Sequence, residues 1–195
     1  MKSYQQHCGL ARALDVVGGR WTLLIVRELL LGPRRYSELL ENLHGMTTNL
    51  LASRLKAMRD DGLIEKSEQA YRLTDRGREL EAVVLALGAW GQPLLSTRKK
   101  GHRRNVDWAM VSLKRRYDRS LNCCVEIRVE NKLYTLNCCP EKLDVKIGRA
   151  AAPELLVTLT EEEFFSFFIL RNSTSEPTVL GDADLWKKFR EAFAV

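Results

Sequence analysis

A helix with one apolar side and one small polar side, followed at once by a short basic hairpin, is the feature that most constrains the fold of this chain. Leu51, Leu55 and Met58 recur at spacings of four and three, the pattern of a helix that buries one side. Thr47 or Thr48 can cap its free N–H groups. The pattern predicts a partly buried helix with an exposed opposite side.

The opposite side of this helix carries Asn49, Ser53 and Lys56 at positions i, i+4 and i+7. Ala52 lies between them, and no bulky apolar side chain would keep the backbone away from the edge of a base. A small polar surface of this kind is typical of a helix that enters the major groove of DNA.

After Gly62, alternating residues predict two brief strands at 63–66 and 71–73, joined through 67–70. The resulting hairpin carries the cations Lys66 and Arg72. Upstream, the pattern predicts helices at 11–17 and 21–31 and a short helix capped by Ser37. The order helix, helix, short helix, turn, helix, hairpin predicts a mostly α winged helix-turn-helix domain.

Matching residues are spread through this half of the chain: Cys8, Gly18–Ile25, Arg27–Leu29, Gly32–Leu39, Leu51–Leu55, Gly62–Ile64 and Leu73–Thr74. In these segments the chain resembles the HxlR-type branch of the winged helix-turn-helix transcriptional regulators, in the MarR-like superfamily. The resemblance covers roughly residues 7–95 and implies a dimeric bacterial or archaeal DNA-binding repressor or activator. One departure is Gly9, where the family commonly carries Pro after the cysteine.

The expected DNA contacts fall into two groups. Asn49, Ser53 and Lys56 would read or approach bases, and the second group would contact the phosphate backbone. The second group consists of Arg34, Arg35, Thr47, Thr48, Arg54, Lys66 and Arg72. For Arg54 a salt bridge within the fold is an equal alternative.

From a cap at Thr74, helical spacing continues to about Leu95. Its apolar stripe consists of Leu80, Val83, Val84, Leu87, Trp90 and Leu94. In the proteins that this chain resembles, the first helix and this last helix form the homodimer interface. Two-fold symmetry would then place two recognition helices about one DNA turn apart (~34 Å). Packing on the second domain is the alternative.

Charge supports a polyanionic partner without establishing one. Residues 1–100 hold 16 Lys and Arg against 11 Asp and Glu, whereas the remainder is nearly balanced. The basic run 96–105 predicts a linker between an N-terminal domain, 1–95, and a C-terminal domain, 106–195. Contact between this run and phosphate is the alternative interpretation.

The second half predicts an α+β domain with a small antiparallel-rich sheet and helices. We expect a helix at 106–117, strands at 121–130, 133–139, 143–147 and 155–159, and helices at 161–170 and after Asp182. The element order is similar to the sterol-carrier-protein type of fold, which implies a small apolar effector. Core packing is the alternative role for the aromatic residues that would line such a pocket: Phe164, Phe165, Phe167, Phe168, Trp186 and Phe189.

The paired cysteines predict buried packing rather than a metal site. With Asn131-Lys132 as a two-residue turn, Cys124 would lie opposite Cys139 and Val125 opposite Cys138. Neighbouring residues on a strand point to opposite faces, so four thiolates cannot converge on one zinc ion.

Cys8 differs because it stands at a helix start, where the helix dipole favours a reactive thiolate. Some relatives of the family sense oxidants or electrophiles with a cysteine near this position, and others do not. The sequence therefore makes Cys8 a candidate redox site.

No catalytic set emerges, because the three histidines are scattered and no glycine-rich phosphate loop is present. We expect neither enzymatic activity nor a cofactor or metal. No apolar run approaches the about 20 residues of a membrane span, so a cytoplasmic location is expected. The sequence predicts a DNA-binding transcriptional regulator, and we expect it to be a repressor. The main alternative is a lipid or acyl-chain binding protein that uses the winged-helix half for dimerisation or protein docking.

Overall fold

The structure is a computed structural model that describes residues 3–95, 101–172 and 176–193. The chain divides into two compact units, Met1–Leu87 and Gly88–Val195. Of the predicted linker 96–105, residues 96–100 lie outside the described residues, and the described part precedes Asn105, which caps the next helix.

The N-terminal unit has the predicted order of elements, with one additional short strand. The elements are α1 (Gly9–Val17), α2 (Thr22–Leu29), β1 (Arg34–Arg35), α3 (Tyr36–Asn42), α4 (Thr48–Asp60), β2 (Ile64–Ser67), β3 (Ala70–Leu73), α5 (Asp75–Glu79) and α6 (Glu81–Gly91). α4 is the predicted recognition helix, and β2 with β3 is the wing. β1 pairs antiparallel with β3, which makes a three-stranded sheet in the order β1-β3-β2.

Two local details of this unit differ from the sequence prediction. The cap of α3 is Arg35 rather than Ser37, because the backbone N–H of Arg35 donates to the carboxylate of Glu38 at 2.6 Å. The predicted long helix is broken at Leu80, whose N–H donates to the oxygen of Gly77 three residues back and so closes α5. Thr74 caps α5 as predicted, since its hydroxyl accepts from the N–H of Gly77.

Gly77 is required by close packing. A Cβ at this position would lie 2.0 Å from the backbone oxygen of Leu63, which no side chain could tolerate without movement. Thr74 also donates through its hydroxyl to the oxygen of Gly62 at 2.6 Å. Both contacts fix α5 against the junction between α4 and the wing.

The C-terminal unit is an α+β fold, as predicted. Its elements are α7 (Val106–Arg116), β4 (Cys123–Val129), β5 (Lys132–Cys138), β6 (Leu143–Ile147), β7 (Leu155–Leu159), α8 (Glu161–Phe164), β8 (Thr178–Gly181) and α9 (Ala183–Ala192). The five strands have the order β6-β5-β4-β7-β8. The sheet is mixed, because β4 and β7 are parallel while the other three pairs are antiparallel.

The predicted register of the β4–β5 hairpin is wrong. Cys123 lies opposite Cys138 and Cys124 opposite Asn137, because Glu130 adopts φ 51° and the turn is Glu130-Asn131. This correction moves each partner by two residues and therefore leaves every side chain on its predicted face. Cys123 and Cys138 are buried, in agreement with the prediction.

Two further features of this unit were not anticipated. The predicted helix 161–170 changes from α to π geometry at Phe165, and β8 adds an edge strand before α9. Gly181, in β8, has φ 134°, and a Cβ there would lie 2.4 Å from the oxygen of Glu154. Within the described ranges, none of the helices combines the length and apolar character needed to cross a membrane.

Candidate nucleic-acid interface

The start of α4 is fixed by two hydrogen bonds. The Thr47 hydroxyl accepts from the N–H of Leu50 at 3.4 Å, as the cap prediction requires. The hydroxyl of Tyr36 in α3 donates to the backbone oxygen of Thr48 at 2.7 Å. Tyr36 was not singled out from sequence, because its role depends on how α3 meets α4.

The two sides of α4 are separated as predicted. Leu51, Leu55 and Met58 are buried, and the polar side, Asn49, Ser53 and Lys56, is exposed. Thr47 and Thr48 are exposed as well. Leu50 is an unpredicted apolar member of the exposed surface, with 39% of its area accessible. Apart from Leu50, the exposed side of α4 is small and polar, which suits close approach to a base edge.

Three of the predicted cations have partners on the surface. Lys56 lies 2.7 Å from Asp60, one turn later on α4. Arg72 lies 2.8 Å from Glu65 across the wing, and the ammonium of Lys66 lies 5.8 Å from the centre of the Tyr71 ring. These side chains are exposed, so solvent screens the pairs and each contributes at most about 1 kcal/mol.

Arg34 and Arg35 are adjacent but lie in opposite environments. Arg34 is 7% exposed, and its Nε donates to the backbone oxygen of Glu28 at 3.4 Å. This burial contradicts the expectation that Arg34 is positioned at the surface for phosphate contact; its place in β1 turns it inward. Arg35 is exposed, and no hydrogen bond or ion pair of its guanidinium occurs within the described residues.

Arg54 is half-buried against the loop between α1 and α2. A Cβ at Gly19 would lie 2.3 Å from Nη1 of Arg54, so the glycine makes room for the guanidinium. The Nε of Arg54 is buried without a hydrogen-bond partner in the described chain, and the same part of the chain holds no salt bridge to Arg54. The structure therefore does not contain the salt bridge that was the alternative for Arg54. The guanidinium packs against Gly19 instead.

The buried carboxylate of Glu28 connects two helices of the N-terminal unit. Glu28 is 2% exposed and accepts hydrogen bonds from Nη2 of Arg27 at 2.7 Å and from Nδ2 of Asn42 at 3.0 Å. It therefore ties α2 to the end of α3. Sequence reasoning missed it, since a glutamate in a helix is usually solvated.

Cys8 is exposed and caps α1. The backbone N–H groups of Ala11 and Leu10, in the first turn of α1, lower the pKa of the Cys8 thiol below that of ordinary cysteine. The thiolate is thereby favoured, as predicted from the helix start.

The six aromatic residues predicted to line a pocket form one cluster in the C-terminal unit. Ring centres lie 5.6 Å apart for Phe167 and Trp186 and 5.9 Å apart for Trp186 and Phe189. Phe164 contacts both Phe165 and Phe168, at 5.6 and 5.3 Å. Phe165 also lines a pocket of about 460 Å³ beside Arg104. Ligand binding by the cluster stays a prediction.

Metal-ligating side chains do not converge anywhere in the described residues. Across residues 3–95, 101–172 and 176–193, no group of three or more His, Cys, Asp or Glu side chains is placed to hold a metal ion.

Comparison with known families matches residues 16–99 to the HxlR-like helix-turn-helix family. A regulator of the HTH type from Synechocystis is 33% identical over 95 residues, which are 45% of this chain and 70% of the relative. A regulator of the HTH type from Mycobacterium tuberculosis is 41% identical over 93 residues, or 44% of this chain. The chain spans only 58% of the length of that mycobacterial relative.

Solved structures give similar sequence matches. The quinone-bound regulator YodB of Bacillus subtilis is 32% identical, with a TM-score of 0.41, over 43% of this chain and 96% of that one. The redox regulator HypR in its oxidised form is 28% identical, with a TM-score of 0.43, over 47% of this chain and 99% of that one. Both TM-scores are below 0.5, so the family relationship rests on sequence similarity.

Proposed function

Because the chain belongs to the HxlR-like helix-turn-helix family, we propose that it is a dimeric, sequence-specific DNA-binding transcriptional regulator. The observation that carries the proposal is the exposed polar side of α4, formed by Asn49, Ser53 and Lys56 above a fully apolar buried side. The proposal assigns no catalytic role to the chain.

In this mechanism α4 enters the major groove and its polar side reads base edges. Arg35 at the start of α3 and the cap residues Thr47 and Thr48 at the start of α4, all exposed, contact the phosphate backbone. The wing adds Lys66 and Arg72 from the other end of the helix. Arg54 has a positioning role, because it packs against Gly19.

The ion pairs on the surface do not oppose DNA binding. Lys56 must leave Asp60, and Arg72 must leave Glu65, to contact DNA. Exposed pairs of this kind contribute roughly 0–1 kcal/mol each. The attraction between these cations and the duplex is larger than the free energy of each ion pair, so a phosphate or base acceptor displaces the carboxylate.

Dimerisation is supported by the surface of α6. As far as the chain is described, none of the residues of α6 is buried, although the helix is rich in apolar side chains. Val83 is 41% exposed, Leu87 48% and Trp90 74%. On α1, Leu10 and Leu14 are also exposed. A second copy of the chain covers these residues in the proposed dimer and sets the spacing of the two α4 helices at about 34 Å.

The C-terminal unit, in this proposal, receives a small apolar effector, in keeping with its resemblance to the sterol-carrier-protein type. The aromatic cluster around Phe164, Phe167 and Trp186 is the proposed site. Effector binding acts on DNA affinity only if the effector prefers one arrangement of the dimer. Repression is the proposed sense of regulation.

Cys8 supports a second mode of regulation. Its exposure and lowered thiol pKa favour reaction with an oxidant or electrophile. HypR is a redox regulator and YodB has been obtained with a bound quinone. Modification at the start of α1 would alter the proposed dimer interface and thereby DNA binding.

Selection of genomic fragments from the host by the purified 195-residue chain tests the proposal. We expect a recurrent palindromic site whose affinity falls about tenfold or more in Lys56→Ala, since one good base contact contributes roughly 1–3 kcal/mol. Lys187→Ala, which removes an exposed lysine of α9, is the matched control and should bind normally. Recovery of random fragments only, together with tight binding of acyl chains, would favour the lipid-binding alternative.

A further inference from the structure

A pocket of about 400 Å³ lies on the face of the C-terminal sheet opposite α7. Tyr134, which faces α7, donates a hydrogen bond to Asp107 of that helix. Tyr134 pairs with Ile127, and Glu126 is the adjacent residue along β4, so its side chain points to the opposite face of the sheet. Leu156, which pairs with Glu126 and also lines the pocket, lies on that same face. The pocket is therefore separate from any site on the helix-covered face.

The loop 148–154 that closes one side of this pocket is anchored at both ends. The N–H of Gly148 donates to the oxygen of Leu133 at 2.8 Å, and its own oxygen accepts from the hydroxyl of Thr135 at 3.0 Å. At the other end, the N–H of Cys124 donates to the carboxylate of Glu154 at 2.9 Å. The wall of the pocket is thus held by hydrogen bonds to β4 and β5.

Glu126 supplies a buried carboxylate to this pocket. The residue is 4% exposed, and its Oε2 accepts from the N–H of Ala150 in the loop at 2.9 Å. Its Oε1 has no hydrogen-bond donor among the residues that the structure describes. Oε1 is accessible to solvent, unlike the fully buried side-chain atoms of the described residues that lack a partner. A donor group on a ligand can therefore replace water at Oε1 and form a charge-assisted hydrogen bond.

Two arginines line the same pocket. Arg128 and Arg149 are exposed, and neither has an ion pair or hydrogen bond within residues 3–95, 101–172 and 176–193. Guanidinium groups bind carboxylates well because they offer two parallel donors. Leu156 and Leu180 supply apolar surface, and Leu180 is 63% exposed.

We propose that this pocket binds a small zwitterion, namely an apolar α-amino acid or a short apolar peptide. The ammonium group donates to Oε1 of Glu126, the carboxylate contacts Arg128 and Arg149, and the side chain covers Leu156 and Leu180. At about 30 Å³ for each water-sized group, a pocket of this volume holds roughly a dozen non-hydrogen atoms, which is the size of phenylalanine. The proposal does not depend on DNA binding.

Isothermal titration of the 195-residue chain with L-phenylalanine tests the proposal directly. 3-Phenylpropanoate is phenylalanine without the ammonium group, and phenethylamine is phenylalanine without the carboxylate. We expect L-phenylalanine to bind, and each of the analogues to bind at least about tenfold more weakly, because each loses a charged hydrogen bond. Absence of binding by L-phenylalanine and by a phenylalanine dipeptide at millimolar concentration overturns the proposal.

Substitutions of residues that line the pocket test whether L-phenylalanine binds there. Glu126→Gln keeps an oxygen to accept from the N–H of Ala150 but presents an amide to the pocket, so L-phenylalanine should bind about tenfold more weakly. Arg149→Gln should weaken binding similarly. Glu141→Gln and Arg119→Gln change exposed residues outside the pocket and are the matched controls. Thermal unfolding of each variant verifies the fold. Equal binding by the pocket variants and the controls also overturns the proposal.

Discussion

Arg34 and Arg35 should respond in different ways to replacement by alanine, although they are neighbours in β1. Arg35 is exposed and its guanidinium has no partner in the described chain, which leaves it available to a phosphate. Arg34 is 7% exposed and bonded to the backbone of Glu28. We expect Arg35→Ala to weaken DNA binding and Arg34→Ala to weaken the fold.

The size of the Arg35→Ala effect follows from counterion release. Each phosphate contact contributes about 0.9 to the slope of log affinity against log salt concentration, and a dimer contains the contact twice, so the slope falls by about 1.8. Between about 50 and 200 mM salt, the affinity gap between the unmodified protein and the variant should therefore shrink roughly tenfold. The backbone N–H of Arg35 still donates to Glu38 in the variant, so the cap of α3 survives.

The size of the Arg34→Ala effect follows from its buried hydrogen bond. Arg34 donates to the oxygen of Glu28 at 3.4 Å and its Nη1 lies 3.8 Å from the carboxylate of Glu38, so we expect a loss of about 1–3 kcal/mol in the free energy of unfolding. Under conditions in which the Arg34→Ala variant is still folded, its slope of log DNA affinity against log salt concentration should equal that of the unmodified protein.

Fluorescence anisotropy over a salt series and urea unfolding separate these outcomes. Lys187→Ala removes one exposed positive charge on α9 and should leave both the slope and the unfolding free energy unchanged. The reasoning is refuted if Arg35→Ala retains the full slope. It is also refuted if Arg34→Ala lowers the slope by the same amount without loss of stability.

Three further predictions concern the interface, the packing and the thiol. Leu87→Glu should convert the proposed dimer to monomer in sedimentation, because it places a charge on the apolar surface of α6; an unchanged dimer would contradict the proposed interface. Gly77→Ala should lower the free energy of unfolding by about 1–3 kcal/mol in urea, since the added methyl meets the oxygen of Leu63. Gly88→Ala, with open space in α6, is the control and should be neutral or stabilising. The alkylation rate of Cys8 should rise with pH around a midpoint below the about 8.5 of free cysteine, because backbone N–H groups lower its pKa; a midpoint at or above that value would argue against the sensor role.

The exposed polar side of α4 was largely predictable because local rules govern it. Helical spacing separated the buried Leu51 and Leu55 from the exposed Asn49 and Ser53, and the structure confirms this separation. The cap at Thr47 was predictable as well, since a threonine hydroxyl can reach the first N–H groups of a helix that follows it.

The remaining features depend on contacts between distant residues. Arg34 is adjacent to Arg35 in sequence, and only the pairing of β1 with β3 determines which side chain turns inward. The position of Arg54 depends on Gly19, which lies in another element. In the C-terminal unit, a positive φ at Glu130 moves the turn one residue earlier and each cross-strand partner by two residues, and a non-glycine residue gives no sequence signal for this.

The distinction between paired and unpaired cations determines what a salt titration can report. When Lys56 leaves Asp60 for DNA, the duplex releases a counterion, but the carboxylate of Asp60 gains one in return. The net contribution of Lys56 to the slope is therefore smaller than that of one phosphate contact, and the same holds for Arg72 beside Glu65. Arg35 has no such exchange partner in the described chain. The measured slope should consequently be smaller than the number of cations at the interface implies, and Arg35 should contribute to it more than either paired residue.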